Sequence, residues 1–245
     1  MPLTTARPWL IAVLFGLMTL SPARAGMTPE EVKAFEGYKA QAEKGDRLAQ
    51  YNLGYCYVQG EGVAKDAVQA VSWFRKAAEQ GVASAQHGLG YCYEKGEGVA
   101  KDAVQAVSWF RKAAEQGDAF AQTGMGLCYL KGEGVAKDAV QAVSWFLKAA
   151  EQGVASAQTS MGYCYVKGEG VAKDEIEAYA YWNLAGITDE DARHNLAILE
   201  KNMSSDARLL GQQRTKQLHK EINGRLETLN DLRKAVERES LRKGA

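Results

Sequence analysis

Four cysteines, Cys56, Cys92, Cys128 and Cys164, recur every 36 residues, and the chain has no others. A thiol at fixed spacing could be a metal ligand, a redox group or half of a disulfide, and each role needs a second group in reach. No histidine or second cysteine recurs with it. His87, His194 and His219 are single and lack a metal-binding partner at i+3 or i+4, so no zinc site is expected. The recurring turn "GEGVAKD" offers one Glu and one Asp, too few oxygens for calcium, and it lacks the spacing of a phosphate loop. The only S-x-x-K is Ser240-Leu-Arg-Lys243, without the S-x-N and K-T-G companions of serine β-lactam chemistry, and G-x-S-x-G is absent. The expectation is no catalytic residue, no metal and no cofactor.

The elements that carry these residues are repeats. Blocks 45–80, 81–116, 117–152 and 153–188 align without a gap, and a fixed period of this size marks a solenoid. In the second block, Ala85, Leu89, Cys92 and Tyr93 share one face of a helix from about Val82 to Glu94. Gly96 suits a left-handed C-cap and "GEGVAK" turns the chain. Asp102 has N-cap spacing for a second helix with Ala106, Trp109, Phe110 and Ala113 on one stripe, ended by Gly117. Gly90, in mid-helix, costs about 1 kcal/mol relative to alanine and is expected to let the partner helix come close. One hairpin cannot bury its own stripe, so neighbours must stack into an all-α superhelix. Trp73, Trp109, Trp145 and Trp182 are expected in its core. Equivalent residues in stacked units lie roughly 8–10 Å apart, whereas a disulfide needs its Cα atoms within about 7 Å. Every pairing of the four cysteines joins equivalent positions, so they are expected as small core fillers.

Outside the blocks, residues 1–25 resemble a signal peptide: Arg7, then the apolar run Trp9 to Leu20, then Ala23-x-Ala25. Twelve helical residues reach about 18 Å, short of a bilayer core of ~30 Å. Export to the periplasm or beyond, with cleavage near Ala25, is the expectation. Formal charge is zero over 245 residues, which gives no sign of a nucleic-acid partner. Residues 26–44 read as a lone capping helix opened by Thr28-Pro29, with Ala34, Tyr38 and Ala42 in the places of Ala70, Phe74 and Ala78. Residues 189–220 read as a degenerate capping repeat, its last helix opened by Ser204 or Ser205 and running toward Lys220. Residues 221–245, interrupted by Gly224, are either a short coiled-coil arm or a solvated tail.

The pattern "LGYCYxxGEGVxKDxxQAxxWFRKAAEQG" closely resembles the Sel-one-like repeat (SLR), a relative of the tetratricopeptide repeat, over Gly45 to about Ala185. The resemblance implies an α-solenoid in which the first helix of each hairpin lines a concave groove. It also implies a protein or peptide ligand: an envelope protein, a sensor-kinase domain or a host factor. In the cysteine-rich branch of the family a second cysteine per repeat staples the hairpin, and that cysteine is missing here. That branch also includes proteins described as β-lactamases or penicillin-binding enzymes, which is the rival reading.

Across the first three blocks ten positions vary, and nine of them fall within the first fifteen residues, in or beside the first helix. The second helix differs only at Arg75, Arg111 and Leu147. A groove tuned for a ligand on a fixed scaffold is the functional reading, and drift after duplication the plain one. The groove candidates are Arg47, Tyr51, Asn52, Tyr55, His87, Tyr91, Phe120, Thr123, Thr159 and Tyr163.

Overall fold

The computed structural model describes residues 27–243; the signal peptide expected over residues 1–25 lies outside the described residues. Among the described residues there are eleven helices and no strand. The capping helix is α1 (Pro29–Ala42). Four hairpins follow: α2 (Arg47–Gln59) with α3 (Ala67–Glu79), α4 (Ala83–Lys95) with α5 (Ala103–Glu115), α6 (Ala119–Lys131) with α7 (Ala139–Ala150), and α8 (Ala155–Lys167) with α9 (Glu175–Ala185). The chain ends in α10 (Glu190–Asn202) and α11 (Ser205–Lys243).

Local chemistry sets these boundaries. Thr28 and Glu31 form a reciprocal capping box over α1, with Pro29 in the first turn. Asp66, Asp102 and Asp174 each accept two backbone N–H groups at the start of a second helix. Gly60, Gly96, Gly132 and Gly168 end the first helices in the left-handed conformation. The following loop glycine has a different job. Gly98 has φ +69°, and a Cβ there would land on the Ala67 carbonyl of the preceding repeat. The turn therefore presses directly against its neighbour's helix start.

Packing centres on one ring per repeat. Phe110 is buried, and a Cβ on Gly90 would come within 2.6 Å of its ring. A Cβ on Gly124, on the next repeat, would meet the other edge of that ring at 3.3 Å. Phe74 lies in the same way between Gly54 and Gly88. In the fourth repeat Trp182 takes this place against Gly162. A second ladder is polar. The buried Gln86 donates to the Ala78 carbonyl at 3.0 Å and accepts from Gln116 at 2.7 Å, and the Gln50–Gln80 and Gln122–Gln152 pairs repeat the arrangement. Each amide thus ties a first helix to the end of the preceding second helix.

Three expectations need correction. Trp73, Trp109 and Trp145 are only partly buried: each ring packs at a seam between repeats, and its outer face carries a lysine, with Lys76 Nζ 3.9 Å from the Trp73 centroid and Lys112 and Lys148 placed alike. Of the four tryptophans named, Trp182 alone is buried, because it holds the phenylalanine position. In α1, Ala42 is buried and Tyr38 packs against the same cluster, but Ala34 is exposed and Phe35 is the buried residue in its stead. Finally, α11 does not stop near Lys220 but continues through Gly224 to Lys243, carrying Ser240 with it. Nothing lies within 4 Å of a Cβ at Gly224, so the residue costs its propensity and no packing.

Nor does α11 pair with α10 as a second helix would. It lies along α9, with Gly211 against the Tyr179 ring and Leu218 and Ile222 buried in the cluster of Phe146, Ala180 and Tyr181. The one change in the second helices is placed here. Arg75 and Arg111 donate to the hydroxyls of Tyr93 and Tyr129 at 2.9 and 3.4 Å. Leu147 cannot; Tyr165 stacks instead on Tyr181, with centroids 5.8 Å apart, and Arg214 of α11 enters the same cleft. Arg214 bonds Glu177 at 2.6 Å and Glu221 at 3.2 Å, and Arg225 pairs with Glu151.

Gly98→Ala combines backbone strain with a backbone clash and should lower stability by roughly 2–4 kcal/mol. Gly81→Ala, at φ +86° with nothing within 4 Å, should cost only about 1 kcal/mol. Urea midpoints of the two variants check the difference. Leu147→Arg restores the residue of the earlier repeats beside Arg214 and should loosen α11, read as faster amide exchange at Leu218 and Ile222 while α3 and α5 stay protected.

Candidate functional site

The hairpin geometry leaves each first helix with one face on the core and the other outside. On α4 the inward residues are Ala85, Gln86, Leu89, Gly90 and Cys92, and on α2, α6 and α8 the equivalent positions are buried too. What remains outward forms rows with the period of the repeat.

The clearest row holds Tyr55, Tyr91 and Tyr163, each 42–43% exposed although Leu53, Leu89 and Met161 two residues earlier are fully buried. Leu127 stands at this register in the third repeat. A second row carries Leu48 and Phe120, 58% and 62% exposed, alternating with Ser84 and Ser156. His87 bridges repeats: its ring stacks on Phe120 with centroids 6.0 Å apart and lies 5.9 Å from that of Phe110. Burial holds its pKa below the ordinary value, against the opposing pull of Asp118 and Glu94.

The other candidates are distributed less evenly. Arg47 is exposed and Asn52 half-buried. Tyr51 is half-buried with its ring 5.9 Å from that of Phe74, and burial is the chief reason its phenol pKa is raised. Thr159 is half-buried; its hydroxyl donates to Asp189 at 2.7 Å, with the Ala155 carbonyl 3.0 Å away, which fastens α8 to the start of α10. Thr123 corrects the expectation for it: it is 7% exposed, its hydroxyl bonded to the Ala119 carbonyl, and it offers nothing to a ligand. The surface row therefore consists of Leu48, Tyr55, His87, Tyr91, Phe120 and Tyr163. Leu48 aligns with Phe120, and the burial of its neighbours, Ala49 and Gln50, shows that it faces out.

The four thiols are free and buried. Burial raises the pKa of Cys56 and pushes Cys92, Cys128 and Cys164 up to about 11, far from the depressed values of reactive thiols. Among the described residues no group of three or more His, Cys, Asp or Glu side chains could hold a metal ion. A concavity of about 200 Å³ lies in the seam under α11, lined by Leu147, Tyr165, Tyr181, Arg214, Leu218 and Ile222. Its charged groups are already paired with one another.

A family model described as Sel1 repeat matches residues 47–82, 83–118, 119–154 and 155–186. The crystal structure of c5321, a protective antigen present in uropathogenic Escherichia coli strains displaying an SLR fold, is 38% identical with a TM-score of 0.73. That match covers 81% of this chain and 44% of c5321, so the chain spans less than half the length of that relative. The crystal structure of a Sel1 repeat protein from Oxalobacter formigenes is 36% identical, with a TM-score of 0.62, over 80% of this chain and 82% of that one. No curated protein matches the chain.

The thiols give a pH dependence. A folded-state pKa near 11 against an ordinary 9.0 favours the neutral thiol in the native protein. Its stabilising contribution is complete below pH 9 and is lost as pH rises through about 11. Urea midpoints measured from pH 8 to 11 should fall, and less steeply in Cys92→Ala/Cys128→Ala/Cys164→Ala. The tyrosines with raised pKa, Tyr181 above all, account for the remaining slope.

Proposed function

The chain belongs to the Sel1 repeat family, whose members generally act as protein-interaction scaffolds, and on that premise we propose that it is an exported, non-catalytic adaptor. It binds a protein or peptide along α2, α4, α6 and α8. The carrying observation is the row of rings that these helices hold out of the core: Tyr55, Tyr91 and Tyr163 in register, with Phe120 and Leu48 beside them. Large rings held at fixed positions are what interface hot spots use. Their helices are clamped on the inner side by the phenylalanine wedge, so little conformational freedom is lost on binding.

Envelope proteins, sensor-kinase domains and host factors are the partner classes that fit an exported member of this family. The rings on the second helices are less suited to the task. Trp73, Trp109 and Trp145 are half-buried, and lysines sit 3.9 to 4.1 Å from their centroids.

Tyr55→Ala/Tyr91→Ala/Phe120→Ala/Tyr163→Ala should abolish crosslinked capture of a partner from envelope extract, with the thermal midpoint nearly unchanged. Each central anchor is worth about 2 kcal/mol or more, so even a pair of substitutions should weaken capture more than tenfold. Equal recovery by variant and wild type refutes this binding face. Nitrocefin turnover by the purified protein, lost in Ser240→Ala, would establish an enzyme instead.

A further inference from the structure

The chemistry of the ligand can be narrowed from charge; this step rests on the reading of α2, α4, α6 and α8 as the binding face. Those four helices carry four cations, Arg47, Lys95, Lys131 and Lys167, and one carboxylate, Glu94. The second helices are balanced by comparison: Arg75, Lys76, Arg111, Lys112 and Lys148 face Glu79, Glu115, Glu175 and Glu177. The excess belongs to the helical residues themselves; Glu61, Glu97, Glu133 and Glu169 follow in the turns beyond them.

The lysines are also in register with the rings. Lys95, Lys131 and Lys167 follow the ring row by four residues, which places each on the same helix face one turn further along. Lys95 Nζ lies 5.5 Å from the Tyr91 centroid and Lys167 Nζ 5.9 Å from that of Tyr163. Glu94 lies 3.3 Å from Lys95; among the described residues no carboxylate pairs with Lys131 or Lys167. Asp46 and Asp118 are occupied at the opposite ends of α2 and α6, accepting from Ala49 and Ala121. The face thus sets an apolar side chain one turn before a lysine in three repeats; Lys95 is shared with Glu94, and Lys131 and Lys167 have no carboxylate partner among the described residues.

The geometry points to an acidic, extended peptide segment as the ligand, its carboxylates meeting Lys95, Lys131 and Lys167 and its apolar side chains meeting Tyr55, Tyr91, Leu127 and Tyr163. The apolar and basic groups recur once per repeat along the face, so a segment that engages more than one repeat must present its apolar and acidic residues at that same interval. A single-stranded nucleic acid also combines stacking with negative charge. Four cations spread over four repeats are sparse for a phosphate backbone, and the peptide is the better fit.

The test is selection of phage-displayed random dodecamers on the purified protein, followed by fluorescence polarisation with a synthetic peptide from the enriched pool. Lys95→Gln/Lys131→Gln/Lys167→Gln is the charge variant; it installs the residue that Gln59 already provides in the first repeat, so the fold is kept. The expected result is an enriched pool rich in Asp and Glu, with binding weakened at least ~10-fold by the charge variant and by raised salt. A neutral or basic pool whose binding is lost only in Tyr91→Ala/Tyr163→Ala would overturn the acidic ligand and leave the binding face standing. Tighter binding of a labelled twelve-nucleotide oligodeoxythymidylate would also overturn it. No enrichment, or binding indifferent to both variants, would overturn the inference and the binding face together.

Discussion

The structure depends on one wedge: a buried aromatic ring from each second helix driven between two consecutive first helices. A Cβ at Gly90 would meet the Phe110 ring at a distance no side chain permits, and one at Gly124 of the next repeat would be tighter than ordinary contact. The ring fixes the spacing of the hairpins, and the loop glycine on the preceding carbonyl fixes their rotation. Both constraints act through a few positions, the ring and the glycines, and the fourth repeat meets them with a second helix of different sequence, Glu175–Ala185. The first helix is constrained only where it meets the wedge, so its outward positions are free to vary.

Much of this was legible before any coordinates. The hairpins, the aspartate N-caps and the glycine C-caps follow from periodicity and local hydrogen-bond chemistry. The free, buried thiols follow from the spacing of equivalent positions. Other features depend on distances that a pattern does not contain. Trp109 and Phe110 are adjacent on an amphipathic helix, and either could be the core ring; Phe110 is buried because the glycines at 90 and 124 leave a slot as thin as a phenyl ring. Trp182 fills the same slot in the fourth repeat, with its indole Nε1 donating to the Thr159 carbonyl at 3.0 Å. Thr123 and Thr159 share a residue type and a register, yet only Thr159 has an aspartate, Asp189, one repeat further on.

The C-terminal end shows how an array stops. A fifth hairpin would have required α11 to return along α10. The cluster around Phe146 and Tyr181 offered a better apolar surface, and α11 buries Leu218 and Ile222 there. Leu147 belongs to the same solution, since an arginine at that position would stand beside Arg214 and Arg225. The arginine that serves Tyr93 and Tyr129 from the preceding hairpin is thus replaced near Tyr165 by one from α11. The guanidinium is supplied in a different way at the same place in the lattice, which ties α11 to the repeats by composition as well as by contact.

Ring and lysine pairs occur on both sides of the hairpins, and their geometry separates their roles. On the second helices the ammonium group sits about 4 Å from a half-buried indole, so the pair is closed and the ring is shielded. On α4 and α8 the separation is 5.5 to 5.9 Å and the tyrosines remain over two-fifths exposed. Lys95 is shared between its ring and Glu94 at 3.3 Å, whereas among the described residues no carboxylate pairs with Lys167. The repeat then determines the pitch of whatever is bound: since the wedge holds successive first helices at one spacing, rings and charges recur at that spacing, and a ligand must match the rise to engage more than one of them.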